Sequence, residues 1–282
     1  QKGFPMPLVT LNDILPRARA EGRAVCAFNV VNCESAKAAL LAAERENQPV
    51  IIQVFQRLFG DDKARYVAAL VRSLAEHTSV PVVLHLDHGQ SIEQIVQAIR
   101  YGFTSVMLDG SKLPFAGNVA VTREAVRLAH TAGLSIEAEI GHIPTTATAE
   151  LPLSTPEEAA EFVAATGVDA LAVAIGTAHG FYKQTPVIHT DLARRIADRV
   201  PIPLVLHGGS DTPDDKVREA IACGFAKLNI ATEFFQVFLE EIIRQSDLRA
   251  GASLPIDLFM NPVTEAMSQL AAAKIRLAAG TK

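Results

Sequence analysis

Apolar residues reach this chain in short, regularly spaced runs. AVCAFNV (24–30), PVIIQVF (49–55), PVVLHLD (81–87), TSVMLDG (104–110), LSIEAEI (134–140), DALAVAI (169–175), IPLVLHG (202–208) and AKLNIAT (226–232) make eight. Most are apolar at successive positions rather than alternate ones, the pattern of strands covered on both faces by helices. Helical patterns fill the intervals: ESAKAALLAAEREN (34–47), KARYVAALVRSLAEHT (63–78), SIEQIVQAIRYG (91–102), NVAVTREAVRLAHTAG (118–133), TPEEAAEFVAATG (155–167), DLARRIADRV (191–200) and PDDKVREAIACG (213–224). Several open on Ser, Thr or Asp, suited to N-caps, and several close on Gly. EAMSQLAAAKIRLAAG (265–280) reads as a final helix.

Eight strand–helix units over roughly 250 residues predict an α/β fold, a (β/α)8 TIM barrel. The rival is an open doubly wound sheet. Against it, no GxGxxG follows the first strand and no GxxxxGK[ST] occurs. No break in composition marks a linker, so residues 1–282 are read as a single barrel domain, with Met6 expected as the native start and residues 1–5 as an added remnant.

The predicted strands end in polar residues. VPVVLHLDHGQS (80–91) closes an apolar run on His85, Asp87 and His88, and buried charge is costly unless paired or bound to a metal. In such barrels the chemistry collects at the C-terminal ends of the strands. Asn29 ends the first, Asp87 and His88 the third and Asp109 the fourth; Glu137 and Glu139 lie on the fifth. His179 follows the sixth, His207 ends the seventh, and Asn229 and Thr232 close the eighth. His88, His179 and His207 thus converge on one mouth, and three imidazoles with an open position form the ligand set of a catalytic zinc. Glu139 offers a carboxylate oxygen nearby. Asp87 is placed to act as general acid or base if the strand end bends, since an ideal strand would turn it away from the His88 side. His85 shares the Asp87 face and is read as a packed or supporting residue. HGFYK (179–183), HGGSD (207–211) and NIAT (229–232) bring backbone N–H groups and the Thr232 hydroxyl to the usual phosphate cradle of the fold.

Composition narrows the class. Apolar residues make up 49% of 282, which argues against disorder, and the net charge of −5 gives no reason to expect nucleic acid or an acidic membrane surface as partner. No apolar stretch is long enough to cross a bilayer. Cys26, Cys33 and Cys223 form no CxxC pair, and no secretory h-region opens the chain. A reducing compartment, the cytoplasm, is expected.

HLDHG, LDGS, EAEIG, LAVAIGTAHGFYK, LVLHGGSDTPDD and KLNIATE together resemble the motif series of the zinc-dependent class II ketose-bisphosphate aldolases, nearest the bacterial tagatose- and fructose-bisphosphate branch. The resemblance implies a zinc-dependent aldolase cleaving a phosphorylated sugar to dihydroxyacetone phosphate and an aldehyde. It implies His88, His179 and His207 as zinc ligands, Glu139 as a glutamate beside the metal and Asp87 as the proton carrier on the aldehyde oxygen. Gly180, Gly208, Ser210, Asn229 and Thr232 match the dihydroxyacetone-phosphate site, with Lys183 beside it, and Asn29 joins the substrate-binding set from the end of the first strand. A monovalent cation, Na+ or K+, at the phosphate site and a homo-oligomer, dimer or tetramer, are further implications.

Three departures bear on the substrate. GHIPTTATAELP (141–152) stands where the family carries GGxED, and Glu150 is its only acid. PIDLFMNPVTEAM (255–267) sets Asp257 against a family arginine that binds the far phosphate, and Phe55 follows QV where a serine is common. These predict a ketose 1-phosphate with an unphosphorylated aldehyde half. The alternatives are an ordinary fructose- or tagatose-1,6-bisphosphate aldolase in which Arg57 or Arg249 replaces the arginine, and a non-catalytic barrel subunit stabilising a catalytic partner.

Overall fold

In the computed structural model, residues 8–141, 143, 153–178, 180 and 187–281 are described. The eight apolar runs form eight parallel strands: β1 (Val25–Asn29), β2 (Val50–Phe55), β3 (Val82–Gly89), β4 (Ser105–Leu108), β5 (Ser135–Ile140), β6 (Ala170–Val173), β7 (Leu204–Leu206) and β8 (Phe225–Ile230). Each pairs with the next and β8 pairs with β1, closing the barrel. The fold is the (β/α)8 TIM barrel.

The helices α2 (Cys33–Glu46), α3 (Lys63–Ala75), α4 (Ile92–Tyr101), α5 (Phe115–Thr131), α6 (Pro156–Thr166), α7 (Thr190–Arg199) and α8 (Asp214–Ala222) each follow a strand. Their starts obey the capping signals: the side chains of Asn32, Ser91 and Thr155 accept from the backbone N–H groups of Ser35, Gln94 and Glu158. Three more helices lie outside the simple alternation. They are α1 (Leu11–Ala20), ahead of β1, and α9 (Thr232–Leu248) and α10 (Ile256–Ala279), after β8. The final helix therefore begins well before residue 265.

Two apolar layers result. The outer one joins sheet to helices through residues such as Phe28, Leu84, Phe162 and Phe234, all fully buried. The inner one seals the floor: Leu11, Ile14 and Leu15 of α1 pack against Val25, Ala27, Ile51, Val83, Ala170 and Val205 inside the barrel. With the N-terminal end plugged, the C-terminal mouth is the open end. Among the described residues no helix is long and apolar enough to cross a membrane.

Candidate active site

The mouth is organised by an irregularity in β3. The β3–β4 register shifts between Leu86 and Gly89, and His88 has a φ of 53°, in the left-handed region that non-glycine residues seldom occupy. This bulge turns Asp87 and His88 into the same cavity wall, where a regular strand would send them to opposite faces. Gly89 follows because a Cβ there would sit 2.5 Å from the Met107 carbonyl oxygen.

Asp87 is clamped on one side only. Gln53 donates to Asn29 Oδ1 (3.1 Å), and Asn29 Nδ2 donates to Asp87 Oδ2 (2.7 Å). Asp87 Oδ1 is buried with no hydrogen-bond partner among the described residues, 4.0 Å from His88 Nε2. Burial works to raise this carboxyl, but the charges of His88, Lys227 and His207 outweigh it and hold it below the ordinary carboxylate range.

His88, Glu139 and His207 bring one ligand atom each within 4.8 Å of one another. Each histidine is oriented through its other nitrogen. His88 Nδ1 lies 3.0 Å from Asp109 Oδ2, and Asp109 Oδ1 is itself fixed by the Ser111 N–H and hydroxyl. His207 Nε2 lies 2.8 Å from Glu137 Oε1, and its Nδ1 lies 3.0 Å from Glu139 Oε2. Burial raises the Asp109 and Glu137 carboxyls, yet His88 at the first and Lys227 with His207 at the second hold both well below their usual range. As carboxylates they accept, so the protons sit on His88 Nδ1 and His207 Nε2, leaving His88 Nε2 and His207 Nδ1 for the centre of the cluster. Against burial, the two glutamates push His207 up to about 10; the site favours positive charge at its centre. Oriented imidazoles beside a carboxylate fit a divalent metal with nitrogen and oxygen ligands.

A cavity of about 370 Å³ opens above this cluster, and Asn29, Asp87, His88, Gly180, Gly208, Ser210, Asn229 and Thr232 all line it. Gly208 has a φ of 71°, and a Cβ on it would lie 2.2 Å from the Ala178 carbonyl oxygen, so this glycine is needed both for its turn and for the approach of the two loops. Thr232 begins α9 and lines the cavity with Ala231 and Ser210; Ser210 Oγ accepts from the Ala231 N–H at 3.1 Å. A helix N-terminus of this kind attracts anions. Asn229 Oδ1 is buried with no hydrogen-bond partner among the described residues.

The expected residue Asp257 does not join this wall. It is exposed in the first turn of α10 and is not among the residues that line the cavity. Matching by position along the C-terminal segment puts it opposite a family arginine, but the helix does not carry it to the mouth. Phe55, Arg57 and Lys112 do line the cavity, with the Arg57 guanidinium 5.0 Å from the Phe55 ring centroid. Arg249 is exposed and donates to the Ala252 carbonyl instead. His179, Lys183 and Glu150 lie outside the described residues. For Asp109, beside Ser111, the sequence left a supporting role and chemistry equally open, whereas the supporting roles of Gln53 and Glu137, and the presence of Lys227, were not read from sequence. Spacing gave one signal: Glu137 precedes Glu139 by two, and Lys227 precedes Asn229 by two, so each shares a face with a mouth residue.

The family description "Fructose-bisphosphate aldolase class-II" matches residues 9–281. A "Probable fructose-bisphosphate aldolase" of Bacillus subtilis (strain 168) is 39% identical over 280 residues, covering 96% of this chain and 97% of its own. The crystal structure of the YdjI aldolase from Escherichia coli K12 superposes with a TM-score of 0.87 at 35% identity, covering 96% of this chain and 97% of that one. A putative fructose-1,6-biphosphate aldolase from Coccidioides immitis does so with a TM-score of 0.84 at 31% identity, over 100% and 98%. The chain is an enzyme of the class II fructose-bisphosphate aldolase family, a carbon–carbon lyase.

Proposed function

We propose that this enzyme is a zinc-dependent aldolase that reversibly cleaves a ketose phosphate to dihydroxyacetone phosphate and an aldehyde. The observation that carries the reading is the one-sided clamping of Asp87, whose open oxygen faces the His88–Glu139–His207 cluster. His88 Nε2 and His207 Nδ1 would hold the metal with His179 as the third imidazole, and Glu139 is a carboxylate alternative. A bound zinc supplies a Lewis acid for the ketone and hydroxyl oxygens of the ketose. In cleavage, Asp87 Oδ1 takes the proton of the C4 hydroxyl as the C3–C4 bond breaks and its electron pair stays on the donor half. In condensation Asp87 returns that proton. The donor phosphate is assigned to the N-terminus of α9, with Gly180, Gly208, Ser210, Asn229 and Thr232 around it, Lys183 beside it and a monovalent cation as companion.

The remaining wall supports a reading of the aldehyde half. With Asp257 outside the cavity lining, the repulsion that argued for an uncharged aldehyde loses its support. Arg57 and Lys112 line the wall after β2 and β4, flanking β3 and across the mouth from β7, and neither makes an ion pair among the described residues. These two cations favour an anionic aldehyde half, as in a ketose 1,6-bisphosphate, over the ketose 1-phosphate expected from sequence. We further propose a homo-oligomer in a reducing cytoplasm. Leu239, Ile243 and Leu248 on α9 and Ile256 and Leu258 on α10 stand more than half exposed, and light scattering gives the mass.

Purified protein should carry about one zinc per chain and release dihydroxyacetone phosphate from fructose or tagatose phosphates. His207→Ala should lose both metal and cleavage. In a panel of 1-phosphates and 1,6-bisphosphates, Arg57→Ala and Lys112→Ala should each cut kcat/KM for the bisphosphate roughly tenfold or more and spare the 1-phosphate. Full zinc occupancy in His207→Ala would overturn the metal assignment; unchanged bisphosphate cleavage in both cation variants would overturn the aldehyde assignment.

A further inference from the structure

Below the metal cluster lies a charged pair that the chemistry above does not touch. Lys227 Nζ on β8 stands 2.7 Å from Glu137 Oε2 on β5, both side chains fully buried. The two strands are not neighbours, so the pair crosses the barrel interior. Beneath it the interior is mainly apolar down to α1, where Ser135 Oγ accepts from the Leu11 N–H. A buried ion pair is weak evidence for stability, because apolar side chains of similar volume often do as well or better. The pair therefore calls for another reason.

That reason is in the second oxygen of Glu137. Oε1 takes the Nε2 side of His207, while the Nδ1 of the same ring is only 3.0 Å from Glu139 Oε2. Two arrangements compete. If a neutral His207 carries its proton on Nδ1, His207 and Glu139 bond to each other and His207 has no lone pair facing the cluster. If the proton sits on Nε2, both present lone pairs to one point. We infer that Glu137 and Lys227 are positioning residues that select the second arrangement: Lys227 anchors Oε2, which turns Oε1 to His207 and draws its proton to Nε2. His85 packs on the same carboxylate, its Nε2 3.6 Å from Oε2, and is itself fixed by Ser105 at 2.8 Å. Glu137 is thus held from two sides and given one partner to orient. The inference rests on the metal site proposed above, and assigns its affinity partly to residues that touch neither metal nor substrate.

The test measures zinc affinity of the metal-free chain by competition with a chelator of known affinity, beside its thermal unfolding. Lys227→Met or Glu137→Leu alone leaves a buried charge unpaired and should lower Tm. The double variant E137L/K227M removes both charges and should recover Tm, yet bind zinc roughly 10- to 100-fold more weakly than the parent. Glu137→Gln is the second variant. Its amide keeps the volume but can donate or accept at His207, so zinc affinity should fall about tenfold; it also leaves Lys227 without a carboxylate, so Tm should fall as in Glu137→Leu. Parent-like zinc affinity in both E137L/K227M and Glu137→Gln would overturn the inference and leave the pair a structural one. A parent chain that binds no zinc would instead overturn the metal site itself, and the inference with it.

Discussion

A carboxylate that moves a proton needs one oxygen held and the other open, and Asp87 has that asymmetry. Asn29 holds Oδ2 and is in turn held by Gln53, so three residues on three neighbouring strands fix one side chain. Asp87→Ala should therefore keep zinc, since Asp87 is not in the ligand cluster, and lose cleavage by roughly 10²-fold or more. Loss of zinc from this variant would make Asp87 a coordinating residue instead. At this scale the sequence was informative where a residue's position on its strand decides its role. His88, His207, Glu139 and Asp87 could be read from strand ends. Asp109 could be placed at its strand end with a supporting role in view; the role of Glu137 could not, because it depends on which nitrogen of a distant histidine it meets, a matter of distance across the barrel that spacing along one strand does not encode.

At the level of elements, β3 carries the decisive geometry. An extended strand cannot deliver adjacent residues to one cavity, and the bulge at His88 does so at the expense of a left-handed backbone. Gly89 permits the return to β4, since a Cβ would meet both the Met107 carbonyl oxygen and Leu86 Cδ2 at under 3 Å. Gly89→Ala must push β3 from β4 and carry His88 with it. Stability should fall by about 1–3 kcal/mol and zinc affinity should fall too. Urea unfolding and chelator competition on the same preparation check both, and a variant with parent-like values would show that the bulge is not needed for the site. The bulge itself was not legible, because HLDHG satisfies a strand pattern up to its last residues. The strands and most helices were legible from apolar runs and caps. α1 and the first half of α10 were not, since Pro16 and Pro262 lie inside them and proline normally ends a helical pattern.

Taken whole, the barrel divides its interior into an apolar floor and a charged upper half, and pH should act on the two unequally. His85 sits at the boundary, fully buried. Burial first, and then the positive charge of Lys227, push its imidazole down to about 3, against about 6.5 in an unfolded chain. Between those values the unfolded chain binds a proton that the folded chain refuses. Stability therefore rises with pH across the window and is lost as pH falls from about 6.5 toward 3, by up to about 1.4 kcal/mol per pH unit. The depressed carboxyls of Asp87, Asp109 and Glu137 act in the same direction at lower pH, below about 4. His88 and His207, held above their ordinary range in the metal-free chain, act in the opposite direction: the stability they contribute is full below about 6.5 and fades as pH rises through their folded values. Those groups remain in a His85→Asn variant, whose amide can still meet Ser105, so the difference between variant and parent reports His85. Urea midpoints of the metal-free proteins at pH 5 and pH 7 should show the parent losing more stability on acidification than His85→Asn. Equal losses in the two would mean that His85 accepts its proton without unfolding, and that the upper half of the barrel is more open to water than its packing indicates.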